Sequence, residues 1–474
     1  MSSKRILVMA AAAAALLSGC ASYRPKPLSP ADNAHRLDSR TLADPRLRRF
    51  VRATLAPKAA PGPAPGWNLT TLTLAALYFH PNIRIAQARL AGAEAAVITA
   101  RERPNPVLNL TNIFSAAAVA GAISPGAAPV TVGPVIDFVL ETAGKRAART
   151  ARARHLAAAA RWDIATAEWQ VRAGVRDALI DLWAAQRRAA LLRRQLALQD
   201  QLVELLDHRL AQGAASGLDV SRERIARARL TLALGALDRK AAEARVALAT
   251  AIGVPARGLD GIAPNLGGFD HPPAIAATTE LQTWRRRALT GRSDVQASLA
   301  EYDAAQSALR LAVAGQYPNI TLGPGYNYDL GVNRYILNLG GTLPVFHQNQ
   351  GPIAEAVARR EATAAAFTGL QARIIGTIDA AEIAYSKMSD SLAAADALLA
   401  DETRRAQRVD AAFRAGQVDR PTLVAAQIAV AATALSRLDT VVGERRALGA
   451  LEDALQRPLY EPGAALPPPS GLSS

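Results

Sequence analysis

The chain has 474 residues, half of them apolar, with 55 Lys and Arg against 40 Asp and Glu for a formal charge of +15. Its single cysteine excludes an internal disulfide. After the first nineteen residues there is no run of eighteen apolar residues, which excludes a bundle of membrane-spanning helices.

The chain opens on a targeting signal. Lys4 and Arg5 precede the apolar stretch Ile6 to Leu17, which is too short to span a bilayer comfortably. Leu17-Ser18-Gly19-Cys20 closes it. That tetrapeptide resembles the lipobox of bacterial lipoproteins, in which cleavage leaves Cys20 to be acylated, and Ala21 at the next position resembles an outer-membrane sorting address. Export makes nucleic acid an unexpected partner, and the basic excess reads as arginines on solvated helical faces. Residues 20–66 are rich in Pro, Ala and Arg and read as an extended arm.

The body runs in two parallel passes, repeat 1 at residues 67–262 and repeat 2 at 280–458. A linker at 263–279 joins them, and a flexible tail follows at 459–474. Each pass starts with a helix, Leu69 to Arg103 or Glu280 to Gln316, and the helix stops before Pro104 or Pro318, since the residue preceding proline avoids the α region. Strand patterns follow at Val107 to Phe114 and Val130 to Leu140, then at Ile320 to Leu330 and Arg334 to Leu343. Gly144 and Gly351 mark the return to helix.

Both long helices carry the same hydrophobic ruler. Val171, Val175, Ala178, Leu182, Ala185, Ala189, Leu192, Leu196, Gln199, Val203, Leu206 and Leu210 step by fours and threes. Ile374, Ile378, Ala381, Tyr385, Met388, Leu392, Ala395, Leu399, Glu402, Ala406, Val409 and Phe413 repeat it. The one polar position falls at the same place in each. A 3.5-residue period keeps one seam facing a partner helix, so two coiled-coil helices are expected. Each stops at a glycine turn, one holding Gly213, Ser216, Gly217 and Asp219, the other Gly416 and Asp419, and a return helix follows. Ser216, Asp219 and Asp419 are suited to capping it.

The order helix, strand, strand, long helix, tight turn, return helix, occurring twice behind a lipobox, resembles the TolC family of outer-membrane efflux channels. Further likenesses are Ala76-Leu77 with His80-Pro81-Asn82-Ile83, echoed by Ala288-Leu289 with Arg292-Ser293-Asp294-Val295, and Leu343-Pro344-Val345-Phe346 before Gly351. The resemblance implies a mainly α fold with a small β part. Three copies would close a 12-stranded outer-membrane β-barrel, continued by a periplasmic coiled-coil barrel. It implies a homotrimer in outer-membrane lipid, a membrane-fusion adaptor docking at the glycine turns, and an inner-membrane pump of the resistance-nodulation-division type. The channel would conduct small toxic compounds or metal ions passively. A duct for type I protein or peptide secretion, or a non-conducting coiled-coil lipoprotein, remain as alternatives.

In the family, gate aspartates often lie just past the second turn. Here those positions hold Thr422 and Ala425, so a carboxylate ring would have to be displaced onto Asp219, Glu223 and Asp419. Helix capping is the simpler role for the two aspartates. The six histidines are dispersed, and no metal site, cofactor or catalytic constellation is expected.

Overall fold

A computed structural model describes residues 22–55, 66–114, 130–272, 278–329 and 332–460. The signal, Cys20, most of the tail and the centre of the linker lie outside them. The arm is not extended throughout. It folds into α1 (Pro30–Asp38) and α2 (Pro45–Leu55). Ser29 caps α1 by accepting from the Asp32 amide, and Leu42 and Leu47, in and beside α2, are fully buried.

Each opening helix is two helices. In repeat 1 these are α3 (Leu69–Phe79) and α4 (Pro81–Arg101). Pro81 has no N–H to donate to the preceding turn, and His80 is extended, so the helix breaks and restarts with proline in its first turn. After strands β1 (Val107–Phe114) and β2 (Val130–Leu140) come α5 (Lys145–Ala211), α6 (Gly217–Ile252), the 3-10 turn Ala256–Leu259 and the short α7 (Gly267–Asp270). Repeat 2 holds α8 (Thr278–Gly291), α9 (Ser293–Ala314), β3 (Ile320–Asp329), β4 (Val332–Gly341), α10 (Gln350–Arg414) and α11 (Arg420–Leu455). The second break falls at Arg292, also extended.

With 67 residues, α5 is about 100 Å long at ~1.5 Å per residue. Together with α10 it runs the whole height of the helical body. The other helices are stacked in two storeys against this pair. Near the sheet, α4 and α9 pack on α5, and α9 also packs on α10. In the far storey α6 and α11 pack on α5, and α11 on α10. Among the described residues α11 is the one helix long and apolar enough to cross a bilayer, yet here it packs along α5 and α10.

The seams are buried very unequally. Most of the α5 seam is buried, whereas on α10 only Ile374, Ile378 and Ala381 of the seam are. The polar seam position of α5 has a reason. Gln199 is 3% exposed and donates to the backbone oxygen and the side chain of Glu223 on α6.

The four strands form one antiparallel sheet in the order β1-β2-β3-β4. Alternation and register give it two chemically distinct faces. One carries Leu108 and Leu110, then Ile136, Phe138 and Leu140, then Ile320, Leu322 and Pro324, then Tyr335, Leu337 and Leu339. Nearly all of these are solvent-exposed in the single chain, Tyr335 by 87%. The other face carries Asn109, Asp137, Thr321, Gly323, Gly325, Asn327, Arg334 and Asn338 among a few valines and Ile336. On it, Asn109 donates to Asp137 over 2.6 Å. A Cβ at Gly323 or Gly325 would strike the side chains of Asp137 and Val135, so glycine lets the sheet curve toward this face.

The strand–helix connections differ in detail from the sequence reading. Gly144 caps α5 in the left-handed conformation, but in repeat 2 that role belongs to Asn349. Gly351 lies inside α10. Asn349 is held in place by donating to the Ala312 carbonyl over 2.6 Å. Near Pro318, Thr142 donates to the Pro318 carbonyl and Lys145 to the Tyr317 carbonyl, each over 2.5 Å. Pro104 lies in the short loop between α4 and β1. At the other end of repeat 2, Leu459 and Tyr460 are buried rather than part of a loose tail.

Candidate functional site

Two regions away from the sheet carry unusual chemistry: the pair of glycine turns and a buried charge cluster where the storeys meet. The glycine turns are matched hydrogen bond for hydrogen bond. Gly213 and Gly416 sit at φ 72° and 70°. The Ala214 amide reaches the Arg209 carbonyl and the Gly213 amide that of Leu210, and the Gln417 amide reaches Ala412 and the Gly416 amide Phe413. These are two Schellman caps, and a left-handed residue at that point favours glycine.

The return helices are capped at equivalent positions. Ser216 accepts from the Asp219 amide, and Asp419 from the Thr422 amide. Asp219 is therefore not a cap; its carboxylate accepts the Ser216 hydroxyl over 2.6 Å. Asp419 caps and also joins the two turns, with Arg209 Nη1 2.7 Å from its Oδ2. Hydrogen bonds from Thr422 and the Arg209 charge hold the Asp419 carboxyl down at about 2. A depressed acid contributes stability that is complete above its unfolded pKa, near 4, and is lost as pH falls through 2. The link between the turns is thus charged throughout the neutral range.

The three possible gate carboxylates do not come together within one chain. Asp219 is held by Ser216, Glu223 by Gln199 and Asp419 by Arg209. Gly217 starts α6, and nothing would crowd a Cβ there.

The second region is a charge cluster that sequence periodicity did not expose. Arg172 and Arg176 on α5 meet Glu452 on α11, and all three are at most 3% exposed. Arg176 also reaches Asp453 over 2.7 Å, and Trp169 donates to Asp453 over 3.1 Å. Burial pushes the Glu452 carboxyl up, and the two guanidinium charges pull it back. Burial works against the Arg176 charge too, but Asp453, Asp177 and Glu452 outweigh it and hold it protonated. The segment just after α11 closes over this cluster. The Leu459 amide donates to Glu452 over 3.0 Å, Arg172 to the Tyr460 carbonyl over 3.1 Å, and the Tyr460 hydroxyl to the Arg445 carbonyl over 2.8 Å. Arg445 pairs with Glu444 and donates to the Phe269 carbonyl, and Trp183 donates to Asp270. The cluster thus ties α5, α11, the linker and the Leu459–Tyr460 segment together. Its one sequence signal was charge at helix positions otherwise filled by Ala and Leu.

Glu168, one turn before Arg172, is buried, and burial pushes its carboxyl from 4.5 to about 7. An acid with a raised pKa destabilises the fold as pH climbs from 4.5 through 7, because the folded state then holds a proton the unfolded state has released. At 1.36 kcal/mol per pH unit of displacement the effect approaches roughly 3 kcal/mol. Glu168→Gln should therefore raise the melting temperature at pH 8 and leave it nearly unchanged at pH 4. An equal effect at both pH values would contradict this.

No group of three or more His, Cys, Asp and Glu suited to a metal occurs among the described residues. The molecule is a two-storey helical column with tight turns at one end and a two-faced sheet at the other. Residues 74–254 match the family of outer membrane efflux proteins.

Two relatives are similar to the chain over longer stretches. The cobalt-zinc-cadmium resistance protein CzcC of Cupriavidus metallidurans is 26% identical over 278 residues, 58% of this chain and 62% of the relative. The match thus spans somewhat under two thirds of CzcC. The pyoverdine export outer membrane protein OpmQ of Pseudomonas aeruginosa is 27% identical over 423 residues, 81% of this chain and 85% of OpmQ. The fold matches the outer membrane protein VceC of Vibrio cholerae with a TM-score of 0.65 at 18% identity, covering 82% of this chain and 95% of VceC. The family that residues 74–254 match is one of efflux proteins, and another solved structure of this fold, OprN (TM-score 0.65 at 20% identity), is an outer-membrane channel.

Proposed function

We propose that this chain is an outer membrane efflux protein and serves as the exit duct of a tripartite pump. Three copies would close a 12-stranded barrel in the outer membrane and extend it by a helical tunnel into the periplasm. The sheet is the observation that carries this reading. Its apolar face suits lipid and its polar, glycine-bearing face suits a water-filled lumen. Among the described strands, β1 and β4 each have one partner, leaving both edges unpaired. An open edge in hydrocarbon leaves backbone groups unsatisfied, and closing the sheet on further copies removes that penalty.

The far storey supports the same closure. Its helices lie in the order α6-α5-α11-α10, so α6 and α10 form the two flanks. On α6, Leu218, Ile225 and Leu232 recur every seven residues and are 72%, 54% and 76% exposed. On α10, Ile383 and Leu398 are 63% and 54% exposed. A ring that sets α6 of one copy against α10 of the next would cover both stripes. Acylation of Cys20 would tether the arm to the membrane. The glycine turns are the adaptor-docking end, and passage is passive, driven by a pump in the inner membrane. The names of CzcC and OpmQ make cobalt, zinc and cadmium ions and pyoverdine the first substrates to assay.

The test is cross-linking in intact cells, capture of the tagged full-length protein and identification of what comes with it. Recovery of a proton-driven pump and its adaptor is the expected result. Recovery of an ATP-driven exporter would move the reading to secretion. Self-contacts alone, without a trimer, would overturn it.

A further inference from the structure

The helical column has two joints per chain where a far-storey helix ends against a near-storey one. At joint 1, α6 ends at Gly253 and meets the α3–α4 break. A Cβ on Gly253 would lie 3.1–3.2 Å from His80 and Phe79 backbone atoms. At joint 2, α11 ends at Gln456 and meets the α8–α9 break, where the Ser293 amide donates to the Gln456 side chain over 2.9 Å. The joints are copies of each other in backbone conformation. Gly253 and Gln456 are both left-handed, with φ 86° and 46°. His80 and Arg292 are both extended, at φ −67°, ψ 130° and φ −61°, ψ 145°.

The last carbonyls of a helix have no intrahelical partners, and the negative end of the helix dipole lies there. At joint 2 they are met by Arg292, whose Nη1 donates to the Asp453 and Ala454 carbonyls. The matching residue at joint 1 is His80. Its Nδ1 already accepts from the Asn82 amide, and burial lowers its pKa, keeping the ring neutral. An arginine nevertheless arrives at joint 1 from outside the repeat. Arg40, between α1 and α2, donates from Nη1 to the Phe79 carbonyl and to the Gly253 carbonyl, both over 2.9 Å. Its guanidinium also lies over the Phe79 ring at 5.5 Å. The arm is fixed around it. The Leu42 amide donates to the Gly258 carbonyl over 3.2 Å, and Arg257 donates to the Asp38 carbonyl over 2.9 Å.

We infer that the N-terminal arm supplies, through Arg40, the guanidinium clamp that repeat 2 builds in place with Arg292. Arg40 is then a positioning residue for the tunnel wall. It fastens two helix ends that the chain does not join covalently there. The two clamps are not identical. Arg292 takes both carbonyls from α11, whereas Arg40 bridges the ends of α3 and α6. The arm thereby becomes part of the wall of repeat 1 rather than a passive tether. The inference does not depend on what the channel carries.

Hydrogen–deuterium exchange on the full-length protein in detergent tests it. Arg40→Ala should speed exchange in residues 76–84 and 249–254 by roughly tenfold or more, since charge-assisted hydrogen bonds are lost at a partly buried site. Residues 290–296 and 450–456 should be unchanged. Arg292→Ala should give the mirror image. The double variant Arg40→Ala with His80→Arg should return joint 1 toward wild-type exchange, because it rebuilds the repeat 2 arrangement. If Arg40→Ala fails to assemble, Arg40→Gln removes the charge and the fork while keeping most of the bulk, and gives the same reading. Unchanged exchange at joint 1, equal loosening of both joints, or no restoration in the double variant would each overturn the inference.

Discussion

Glu452→Gln should destabilise the protein by about 3–5 kcal/mol, the usual consequence of breaking a buried ion pair from one side. Arg172 and Arg176 would remain almost wholly buried and face a neutral amide. The amide would also be a poorer acceptor for the Leu459 amide, so the segment just after α11 should loosen with it. The expected readout is a melting temperature lower by about 3–5 °C, since the unfolding entropy of a chain this long is roughly 1 kcal/mol per kelvin, and faster proteolysis just after α11. Glu243→Gln is the contrast. Glu243 pairs with Arg239 one turn away on α6, with both side chains largely exposed, so its loss should change stability by less than about 0.5 kcal/mol. Equal effects from the two substitutions would show that the cluster is not the hub between the repeats.

Leu337→Arg should block assembly in the outer membrane, whereas Asn338→Arg beside it should be tolerated. The two residues are neighbours on β4 and project to opposite faces of the sheet. An arginine facing lipid near the bilayer centre costs about 2–4 kcal/mol, and a closed trimer would carry it three times. An arginine facing the lumen keeps its hydration. The measurement is the fraction of protein recovered as a heat-modifiable band from outer-membrane preparations. Loss with both variants, or with Asn338→Arg alone, would reverse the assignment of faces. The pairing of Tyr326 with Tyr335, whose rings lie 5.9 Å apart, marks the end of the apolar face near the β3–β4 connection, where an aromatic girdle is expected.

Much of this architecture was readable before any coordinates, for physical reasons that can be named. Strict four-three spacing specifies a helix with one buried seam, and Lys145–Ala211 and Gln350–Arg414 are the helices it indicated. Gly213 and Gly416 stand out because a left-handed cap tolerates few other residues. The first two strands keep their expected limits and the other two differ by at most two residues, because alternation fades at strand ends.

What was not readable depends on contacts distant in sequence. The break at His80 had a local cause in Pro81, but the break at Arg292 has none, and it becomes intelligible only once Arg292 is seen gripping the end of α11. The burial of Arg172, Arg176 and Glu452 was equally hidden, since charged residues at scattered helix positions usually face solvent. The arm reads as linker by composition, yet it holds two helices because Leu42, Leu47 and Val51 find a core to enter. Asp219 suits a cap by residue type alone. Ser216, three residues earlier, holds that position instead.

Disulfide trapping between sheet edges tests the central claim most directly. The intended pairs combine Asn109→Cys on β1 with a cysteine at Arg334, Ile336 or Asn338 on β4, in a background with Cys20 replaced. Within one chain β1 and β4 sit at opposite edges of the sheet and cannot meet. If three copies close one barrel, oxidation in intact outer membranes should give, for at least one pair, a ladder of linked chains that ends at three. A ladder that ends at two, runs past three, or never forms with any of the pairs would contradict the closed trimer.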